Sequence, residues 1–376
     1  MIEAALNFGT RTTLLTLPLA LLACGANTVD LGGAVIEPSN DPSVLGIVRE
    51  RVEKIAVDGE RLYWSGRLLP VGGRNNWFLH SCQKRNCAST LVTYDAQAFD
   101  TKHVFSVSGG EIYWYRWDPK KEPTACPAEG CSGSLLACPI AGCNGSPRTV
   151  ASEFTFTAAT FDTDRFYFAD VRSLYSLPLA QPGPRQLIAT SIGVLRAVAI
   201  HDTYAYWRAD GLTNEGHSLL VRGPKDGTST AETIIANDVK GSANHDFSVT
   251  TDATSIYWTN NLLVGSISRC PLSGCSGASN VVVGPLRAPQ KLQIDGSELY
   301  YHYEPRPYEY ALSSCTLPAC ADASTIIEHL DAPGVLAMDD DYLYVATTEQ
   351  DVSPDNLTEN TIASIRRLPK PHREVP

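Results

Sequence analysis

The sequence predicts an all-β protein that folds as a single β-propeller, with seven four-stranded blades as the best count and six or eight also compatible. A triplet centred on tyrosine, usually aliphatic-Tyr-aromatic, recurs along the chain, and successive tyrosines are 39 to 54 residues apart. That period matches one propeller blade. Short alternating apolar runs and Gly, Pro and Asp turns separate the triplets, which favours strands. The triplet tyrosines are Tyr63, Tyr113, Tyr167, Tyr206, Tyr257, Tyr300 and Tyr344.

Each repeat predicts a meander of four strands, and the fifth repeat is the clearest. Its first two strands form a hairpin, and the second strand carries Ile256, Tyr257 and Trp258. Residues 266–269 and 280–283 supply the third and fourth strands. We expect the large aromatic side chains of all seven triplets to pack between neighbouring blades, because such residues dominate cores of this kind.

An aspartate recurs at the turn of the first hairpin, at Asp58, Asp162, Asp252 and Asp295. Asp at such a turn accepts hydrogen bonds from its own backbone. We therefore predict a structural role for these carboxylates, and we expect no metal site and no cofactor.

The last blade needs a strand from the other end of the chain. Residues 362–368 can form its third strand, but the proline-rich tail that follows cannot form a fourth. Residues 43–49 precede the first repeat and contain the apolar run VLGIV. We predict that they complete the seventh blade, a closure that hides both sheet edges.

Composition excludes some partners. The 376 residues carry a formal net charge of -11, with 19% charged and 43% hydrophobic residues. The two short basic runs, at 120–121 and 366–367, are interpreted as solvated charge. Nucleic acid is therefore not an expected partner.

The cysteines indicate an oxidising compartment. Ten of the eleven form five Cys-x4-Cys pairs, and in the fifth repeat the pair flanks a turn between the third and fourth strands. Opposed hairpin residues are close enough for a disulfide, so we predict that each pair closes on itself, with zinc binding by the two adjacent pairs as the alternative. The pairs are Cys82/Cys87, Cys126/Cys131, Cys138/Cys143, Cys270/Cys275 and Cys315/Cys320.

The N-terminus predicts export. Residues 14–22 (LLTLPLALL) have the length of a signal-peptide h-region, and residues 21–25 (LLACG) resemble the lipobox of bacterial lipoproteins. The resemblance implies acylation of Cys24, and Gly25 favours the outer membrane; an ordinary cleaved signal with a free Cys24 is the alternative. The predicted organisation is a signal peptide at 1–23, a lipid-anchored tether at 24–42, the propeller at 43–369 and a disordered tail at 370–376.

The fifth repeat also resembles a known family. Residues 252–274 (DATSIYWTNNLLVGSISRCPLSG) are similar to the YWTD repeat of low-density-lipoprotein-receptor-type propellers, with Asn260 in place of the motif's Asp. The best-known members of that family have six blades. The set as a whole is similar to bacterial lipoproteins that carry such repeats and have no assigned function.

Strand alternation divides the connections between two faces. Connections between strands one and two, and between three and four, lie on what we name the turn face and are expected to be short. The other connections lie on the loop face and are expected to be long and variable, where binding residues usually occur. Clustered Arg, Tyr and Trp there make candidate binding residues of Arg116, Trp117, Arg208, Tyr301, Tyr303, Arg306 and Tyr308.

No catalytic fingerprint accompanies this architecture. The sequence contains no GxSxG, HExxH, P-loop or dinucleotide motif, and its eight histidines are scattered. The favoured function is a monomeric, envelope-anchored scaffold that binds a protein or a glycan and is not an enzyme. The alternative is a secreted hydrolase or lyase with polar residues converging at the central channel.

Overall fold

Every regular element in the described part of the chain is a β-strand, in a computed structural model whose strands form seven separate sheets. The described residues all belong to the unit Gly33–Pro376, and the unit Met1–Gly32 lies outside them. They are residues 41, 43–48, 50–68, 76–97, 104–117, 132–181, 183–191, 193–210, 218–228, 233–239, 248–275, 279–307, 309–330, 335–349 and 362–371.

Each sheet is one four-stranded antiparallel blade, and each of the first six follows chain order. Blade 1 contains β2 (Arg51–Asp58), β3 (Arg61–Leu68), β4 (Asn76–Gln83) and β5 (Val92–Gln97). Blade 2 contains β6 (Phe105–Ser108), β7 (Glu111–Trp117), β8 (Gly133–Pro139) and β9 (Arg148–Phe154). Blade 3 contains β10 (Ala158–Phe161), β11 (Arg165–Asp170), β12 (Ser173–Pro178) and β13 (Gln186–Thr190). Blade 4 contains β14 (Val194–His201), β15 (Tyr204–Asp210), β16 (Ser218–Pro224) and β17 (Thr233–Val239).

The remaining blades complete a seven-bladed propeller. Blade 5 contains β18 (Val249–Thr251), β19 (Ser255–Asn260), β20 (Gly265–Pro271) and β21 (Asn280–Leu286). Blade 6 contains β22 (Gln290–Asp295), β23 (Glu298–Arg306), β24 (Glu309–Thr316) and β25 (Ser324–Leu330). Blade 7 contains β26 (Leu336–Met338), β27 (Tyr342–Glu349), β28 (Ile362–Pro369) and β1 (Val44–Val48). The predicted all-β propeller with seven four-stranded blades is confirmed.

Closure by an N-terminal strand is also confirmed. β1 runs antiparallel to β28, with Ile47 opposite Ser364, and the amide of Arg367 donates to the carbonyl of Ser43 at 2.7 Å. Val48 is fully buried between blades 7 and 1. The first residue of the predicted tail behaves differently from the expectation: Lys370 is buried, and its ammonium bonds the Asp295 carboxylate. The ordered fold therefore extends past residue 369.

The core consists of layers between blades. Seven clusters of buried apolar side chains occur in the described residues, and each combines two neighbouring blades. Trp64, Trp207 and Trp258 are fully buried in three of these layers. The triplet aromatics thus pack between blades as predicted, which fixes each blade against the next.

Hydrogen bonds at three of the hairpin turns show the structural role predicted for the turn aspartates. Asp252 Oδ1 accepts from the amides of Thr254 and Ser255, both at 2.7 Å. Its Oδ2 accepts from the Tyr257 hydroxyl at 2.7 Å. Asp162 and Asp339 repeat this arrangement with Tyr167 and Tyr344. The same carboxylate therefore holds both the turn and the triplet tyrosine.

Lysines from adjacent blades complete this network on the turn face. Lys84 of blade 1 bonds Asp339 of blade 7 at 2.7 Å, and Lys225 of blade 4 bonds Asp162 of blade 3 at 3.1 Å. Lys370 reaches Asp295 in the same way. Each lysine lies just after the third strand of its blade, so the turn face is tied together by ion pairs between blades.

Four of the five predicted disulfides lie in the described residues and are present. Cys82–Cys87, Cys138–Cys143, Cys270–Cys275 and Cys315–Cys320 each close the connection between strands three and four, with Cα atoms 4.8 to 5.5 Å apart. Cys126 and Cys131 lie outside the described residues, as does Cys24. Blades 3 and 4 form the equivalent connection without cysteine, so the bridge is not required for the turn.

The connections correct one expectation about the two faces. The first-hairpin turns are two or three residues long, but the connections between strands three and four have seven or eight and are not short. On the loop face, connections between strands two and three range from two residues (171–172) to fifteen (118–132), as predicted. Variation in length is therefore the property that distinguishes the loop face.

Candidate functional site

The loop face of blade 5 exposes an apolar tripeptide between β19 and β20. Leu262, Leu263 and Val264, which we name the apolar tip, have 38%, 71% and 75% of their surface exposed. The other three exposed large apolar side chains in the described residues, Leu187, Tyr204 and Val281, lie singly, whereas these three are consecutive. A contiguous exposed apolar group rimmed by polar residues is typical of an interaction site.

Buried polar contacts hold the base of the tip. The Asn260 amide donates to Ser266 Oγ at 3.0 Å and to Ser268 Oγ at 2.8 Å, and the Leu262 amide donates to the Asn260 carbonyl at 3.0 Å. Gly265 follows the tip, and a Cβ atom there would collide with the Asn260 carbonyl. The loop is therefore pinned on both sides, which lowers the entropy lost when a partner binds.

The tip is continuous with blade 6. The amide of Ala288, in the connection to blade 6, donates to the Leu262 carbonyl at 2.8 Å. Next to it, Arg287 pairs with Glu304 of β23 at 3.0 Å, and the Glu304 amide donates to the Arg287 carbonyl at 2.9 Å. A charged rim thus borders the apolar tip, as in many protein interfaces.

Blade 6 extends this surface at the turn between its strands β23 and β24. Arg306 is 73% exposed and lies 3.5 Å from Glu309. Tyr303 is half-buried, and its ring lies 6.2 Å from that of Tyr301. Tyr301 itself is buried, and Tyr308 lies outside the described residues. Of the four candidates in this blade, Tyr303 and Arg306 therefore contribute to the surface.

The candidate residues of blades 2 and 4 have internal contacts. Arg116 forms a bidentate pair with Asp95 of blade 1, at 2.8 and 2.9 Å, and thereby links two blades. Trp117 is buried. Arg208 is also buried, and its Nε donates to the Asp210 carboxylate at 2.6 Å. The same carboxylate accepts a hydrogen bond from Ser218 Oγ at 2.6 Å.

These placements correct the prediction that the seven candidates share one exposed face. β7, β15 and β23 continue through Trp117, Asp210 and Arg306, so several residues expected in loops are strand residues. Because successive side chains of a strand point to opposite faces of the sheet, Trp117, Arg208 and Tyr301 lie in the layers between blades. Sequence analysis named no residue of the apolar tip among the candidates, although three consecutive aliphatic residues after a strand and before a glycine were a readable signal.

A cluster of polar side chains around Glu50 is buried at the junction of blades 7 and 1. Glu50 Oε1 accepts from Trp64 Nε1 at 2.6 Å and lies 3.6 Å from His80 Nε2, while His80 Nδ1 is 3.0 Å from Thr93 Oγ1. Burial raises the pKa of Glu50 to about 7, despite the opposing bond from Trp64, and lowers the pKa of His80 to about 3. His80 is therefore neutral at physiological pH, and this contact is not an ion pair. The group is almost entirely removed from solvent, since Glu50 and His80 are both 1% exposed.

In the described residues, no three His, Cys, Asp or Glu side chains lie close enough together to hold a metal ion. The same part of the chain contains no helix of the length and hydrophobicity needed to span a membrane.

Comparison with known proteins supports the fold. No protein-family model matches the chain, and no curated protein matches it. Among solved structures, it is similar to a puromycin-hydrolysing peptidase from Mycobacterium tuberculosis, with a TM-score of 0.55 and 12% identity over 85% of this chain and 52% of that one. It is also similar to the β-propeller domain of the Trilobed protease from Pyrococcus furiosus, with a TM-score of 0.53 and 8% identity over 80% and 91%.

A third similar structure comes from work on two prolyl endopeptidases, with a TM-score of 0.52 and 10% identity over 86% of this chain and 50% of that one. The chain thus spans about half the length of two of these peptidases. At such low identity the likeness shows a shared propeller fold alone. It transfers no activity to this chain.

Proposed function

We propose that this chain is an exported β-propeller, anchored to the outer membrane through a lipid on Cys24, that binds a protein or a glycan as a monomeric scaffold. The observation that carries the binding role is the apolar tip, Leu262 to Val264, exposed on a pinned loop and bordered by charged residues of blade 6. Water-exposed aliphatic groups gain free energy when a partner covers them.

Export is supported by the cysteines and by the N-terminal pattern. Four disulfides within one chain favour an oxidising compartment. The lipobox-like residues 21–25 supply the acyl acceptor. Likeness of the fifth repeat to YWTD propellers supports a binding role over a catalytic one.

The anchor is tested by fractionation with acyl labelling. Wild-type protein expressed in a Gram-negative host should carry labelled palmitate and sediment with the outer membrane, whereas Cys24→Ser should carry no label and leave the membrane fraction. Wild-type protein without label, together with Cys24→Ser still in the membrane, would exclude lipidation at this residue.

The binding surface is tested by charge substitution. Leu263→Asp with Val264→Asp puts two carboxylates where a partner should cover apolar groups, and should weaken capture of a specific envelope protein or glycan by at least about tenfold. Val281→Asp is the matched control, because Val281 is 63% exposed on the outer strand of the same blade. Equal loss in both variants, or none in the tip variant, contradicts the proposed surface.

A further inference from the structure

Glu50 lies where the ring is closed. It stands between β1, which ends at Val48, and β2, which begins at Arg51. Because β1 belongs to blade 7 and β2 to blade 1, a displacement of β1 from blade 7 also displaces Glu50. The side chain of Glu50 is 1% exposed in the closed ring.

The strand that precedes Glu50 is held on one edge. β1 is the outermost strand of blade 7 and has β28 as its one neighbour in the sheet. It contains five residues, and its register against β28 shifts between Val44 and Gly46. A short strand with one neighbour opens locally at a lower cost in free energy than a strand between two neighbours.

The junction of blades 1 and 2 shows how a buried tryptophan and a carboxylate pair elsewhere in this fold. Trp114 Nε1 donates to Asp95 Oδ2 at 2.6 Å, as Trp64 Nε1 donates to Glu50. At this junction Arg116 also donates to Asp95, through two bonds of 2.8 and 2.9 Å. The carboxylate of Asp95 is therefore neutralised inside the layer.

Glycine replaces that arginine at the junction of blades 7 and 1. Arg116 lies two residues after Trp114, and the residue two after Trp64 is Gly66. A Cβ atom at Gly66 would lie 2.7 Å from Glu50 Cδ. The absent side chain makes room for the Glu50 carboxyl, at the position from which blade 2 supplies a guanidinium.

The titratable side chain that faces the Glu50 carboxyl is His80 of β4. Its Nε2 lies 3.6 Å from Glu50 Oε1, and it is neutral because burial lowers the pKa of His80 to about 3. Tyr344 of β27 belongs to the same buried layer, but its hydroxyl donates to Asp339. β1, β2, β26 and β28 contribute apolar side chains to this layer, among them Val48, Val52, Ala337 and Ile365.

The arginines of the surrounding strands pair with other carboxylates. Arg51 of β2 and Arg67 of β3 lie 3.5 and 3.0 Å from Glu53 Oε1. Arg366 of β28 lies 3.6 Å from Asp41. Within the described part of the chain, no lysine or arginine is paired with Glu50, so its ionised form has no positive charge to offset the loss of water.

Hydration of the Glu50 carboxyl favours displacement of β1. Burial raises the pKa of Glu50 to about 7 in the closed ring, despite the bond from Trp64, whereas the ordinary value is 4.5. The hydrated carboxyl regains that ordinary value once β1 has moved away. By linkage, the equilibrium constant for release of β1 rises about tenfold per pH unit between about pH 4.5 and about pH 7, and is constant above that range.

We propose that Glu50 is a pH-dependent latch on ring closure. β1 stays paired with β28 while this carboxyl is protonated, and ionisation of the carboxyl favours release of β1 and hydration of the junction between blades 7 and 1. The latch involves neither the apolar tip nor a partner, so it does not depend on the function proposed above.

Amide hydrogen exchange followed by mass spectrometry tests the latch on the wild-type protein. Protection factors of the β1 amides, corrected for the intrinsic exchange rate, should fall about tenfold per pH unit from about pH 5 to about pH 7 and level off above about pH 8. Amides of β5, beside the neutralised Asp95, are the internal reference and should show no such fall. Constant protection of β1, or an equal fall in β5, would overturn the proposal without any variant.

Two substitutions separate the carboxyl from its surroundings. Glu50→Gln keeps the shape of the side chain and cannot ionise, so the protection of β1 should stay at the level of the wild type at low pH over the whole range. Asp95→Asn is the matched control at the neighbouring junction and should leave the pH profile of β1 unchanged. The same pH-dependent fall in Glu50→Gln as in the wild type would overturn the proposal.

Discussion

At the level of single residues, Glu50 determines a pH dependence that composition does not reveal. Its carboxyl occupies space left by Gly66, where a Cβ atom would lie 2.7 Å from Glu50 Cδ. One oxygen accepts from Trp64 Nε1, and the other has no hydrogen-bond partner within the described residues. A buried carboxyl with one unsatisfied oxygen is more stable when protonated.

Glu50→Gln should therefore stabilise the protein at neutral and higher pH. The folded-state pKa of about 7 exceeds the ordinary value of 4.5, so the stability contributed by the protonated form is complete below about pH 4.5 and is lost as the pH rises through about 7. Above pH 7 the variant should gain roughly 2–3 kcal/mol in the free energy of unfolding, and below pH 4.5 the gain should vanish. Urea denaturation across this range measures it, with Glu60→Gln, an exposed glutamate, as the control. A gain that does not change with pH would show that ionisation of Glu50 is not its cause.

The stability contributed by Asp339 depends on pH in the opposite direction to that of Glu50. Although burial raises its pKa, bonds from Lys84 and Tyr344 and from two backbone amides more than offset this and hold it at about 2. Its contribution is present above about pH 3.8 and is lost as the pH falls through about 2.

We expect Asp339→Asn to lower the free energy of unfolding by about 1–2 kcal/mol at pH 7, and to lessen the acid sensitivity of the fold. Asp202→Asn, at an exposed turn position of blade 4, should have almost no effect. Thermal unfolding at pH 7 and pH 3 distinguishes the two. Equal effects of both variants would mean that the ion pair between blades contributes no stability.

Residue identity alone predicted some of these roles. The turn aspartates were predictable, because Asp two or three residues before a β-strand has one dominant use. The burial of Trp117, Arg208 and Tyr301 was not, because it depends on how far each strand continues past its triplet. The burial of Glu50 was not predictable either, since a charged residue between two strands is usually exposed. Its burial depends on how blades 7 and 1 pack.

At the level of elements, the disulfides stabilise a turn that forms without them. Blades 3 and 4 make the same connection with no cysteine, and their third and fourth strands still pair. The double variant Cys270→Ser/Cys275→Ser should therefore fold, at a cost of roughly 2 kcal/mol for so small a loop. The midpoint of guanidinium unfolding measures the cost, and reducing agent should lower the wild type further than the variant. Failure of the variant to fold would mean that the bridge is essential to blade 5.

β1 is the element on which ring closure depends. Val48 is fully buried against Val52 of blade 1 and Ile365 of blade 7. Val48→Ala should cost about 2 kcal/mol, since it leaves a cavity where three strands meet. Val281→Ala, on an exposed outer strand, should cost less than about 0.5 kcal/mol. Comparable losses at both sites in denaturant unfolding would contradict a closing role for β1.

At the level of the whole molecule, the fold was predictable because the triplet tyrosines recur at a spacing typical of propeller blades. Seven triplets at similar spacing predict seven similar units, and the prolines that follow residue 368 favour a fourth strand from residues 43–49. The ion pairs between blades were not predictable, since they arise only when neighbouring units meet, and the expectation of short connections between strands three and four was wrong.

The two faces of the propeller differ in the groups they expose. The turn face is occupied by aspartate, tyrosine and lysine contacts within and between blades, whereas the loop face exposes the apolar tip beside the charged hairpin of blade 6. A rigid scaffold with one variable face is the usual arrangement for recognition. The central claim is therefore that a partner covers Leu263.

Photo-cross-linking in cells tests this claim most directly. A photoreactive amino acid is placed at position 263 and, in a separate variant, at position 281 of the same blade. We expect one discrete cross-linked envelope protein or glycan from position 263, and none from position 281. The same cross-links from both positions, or none from position 263, would contradict a binding role for the apolar tip.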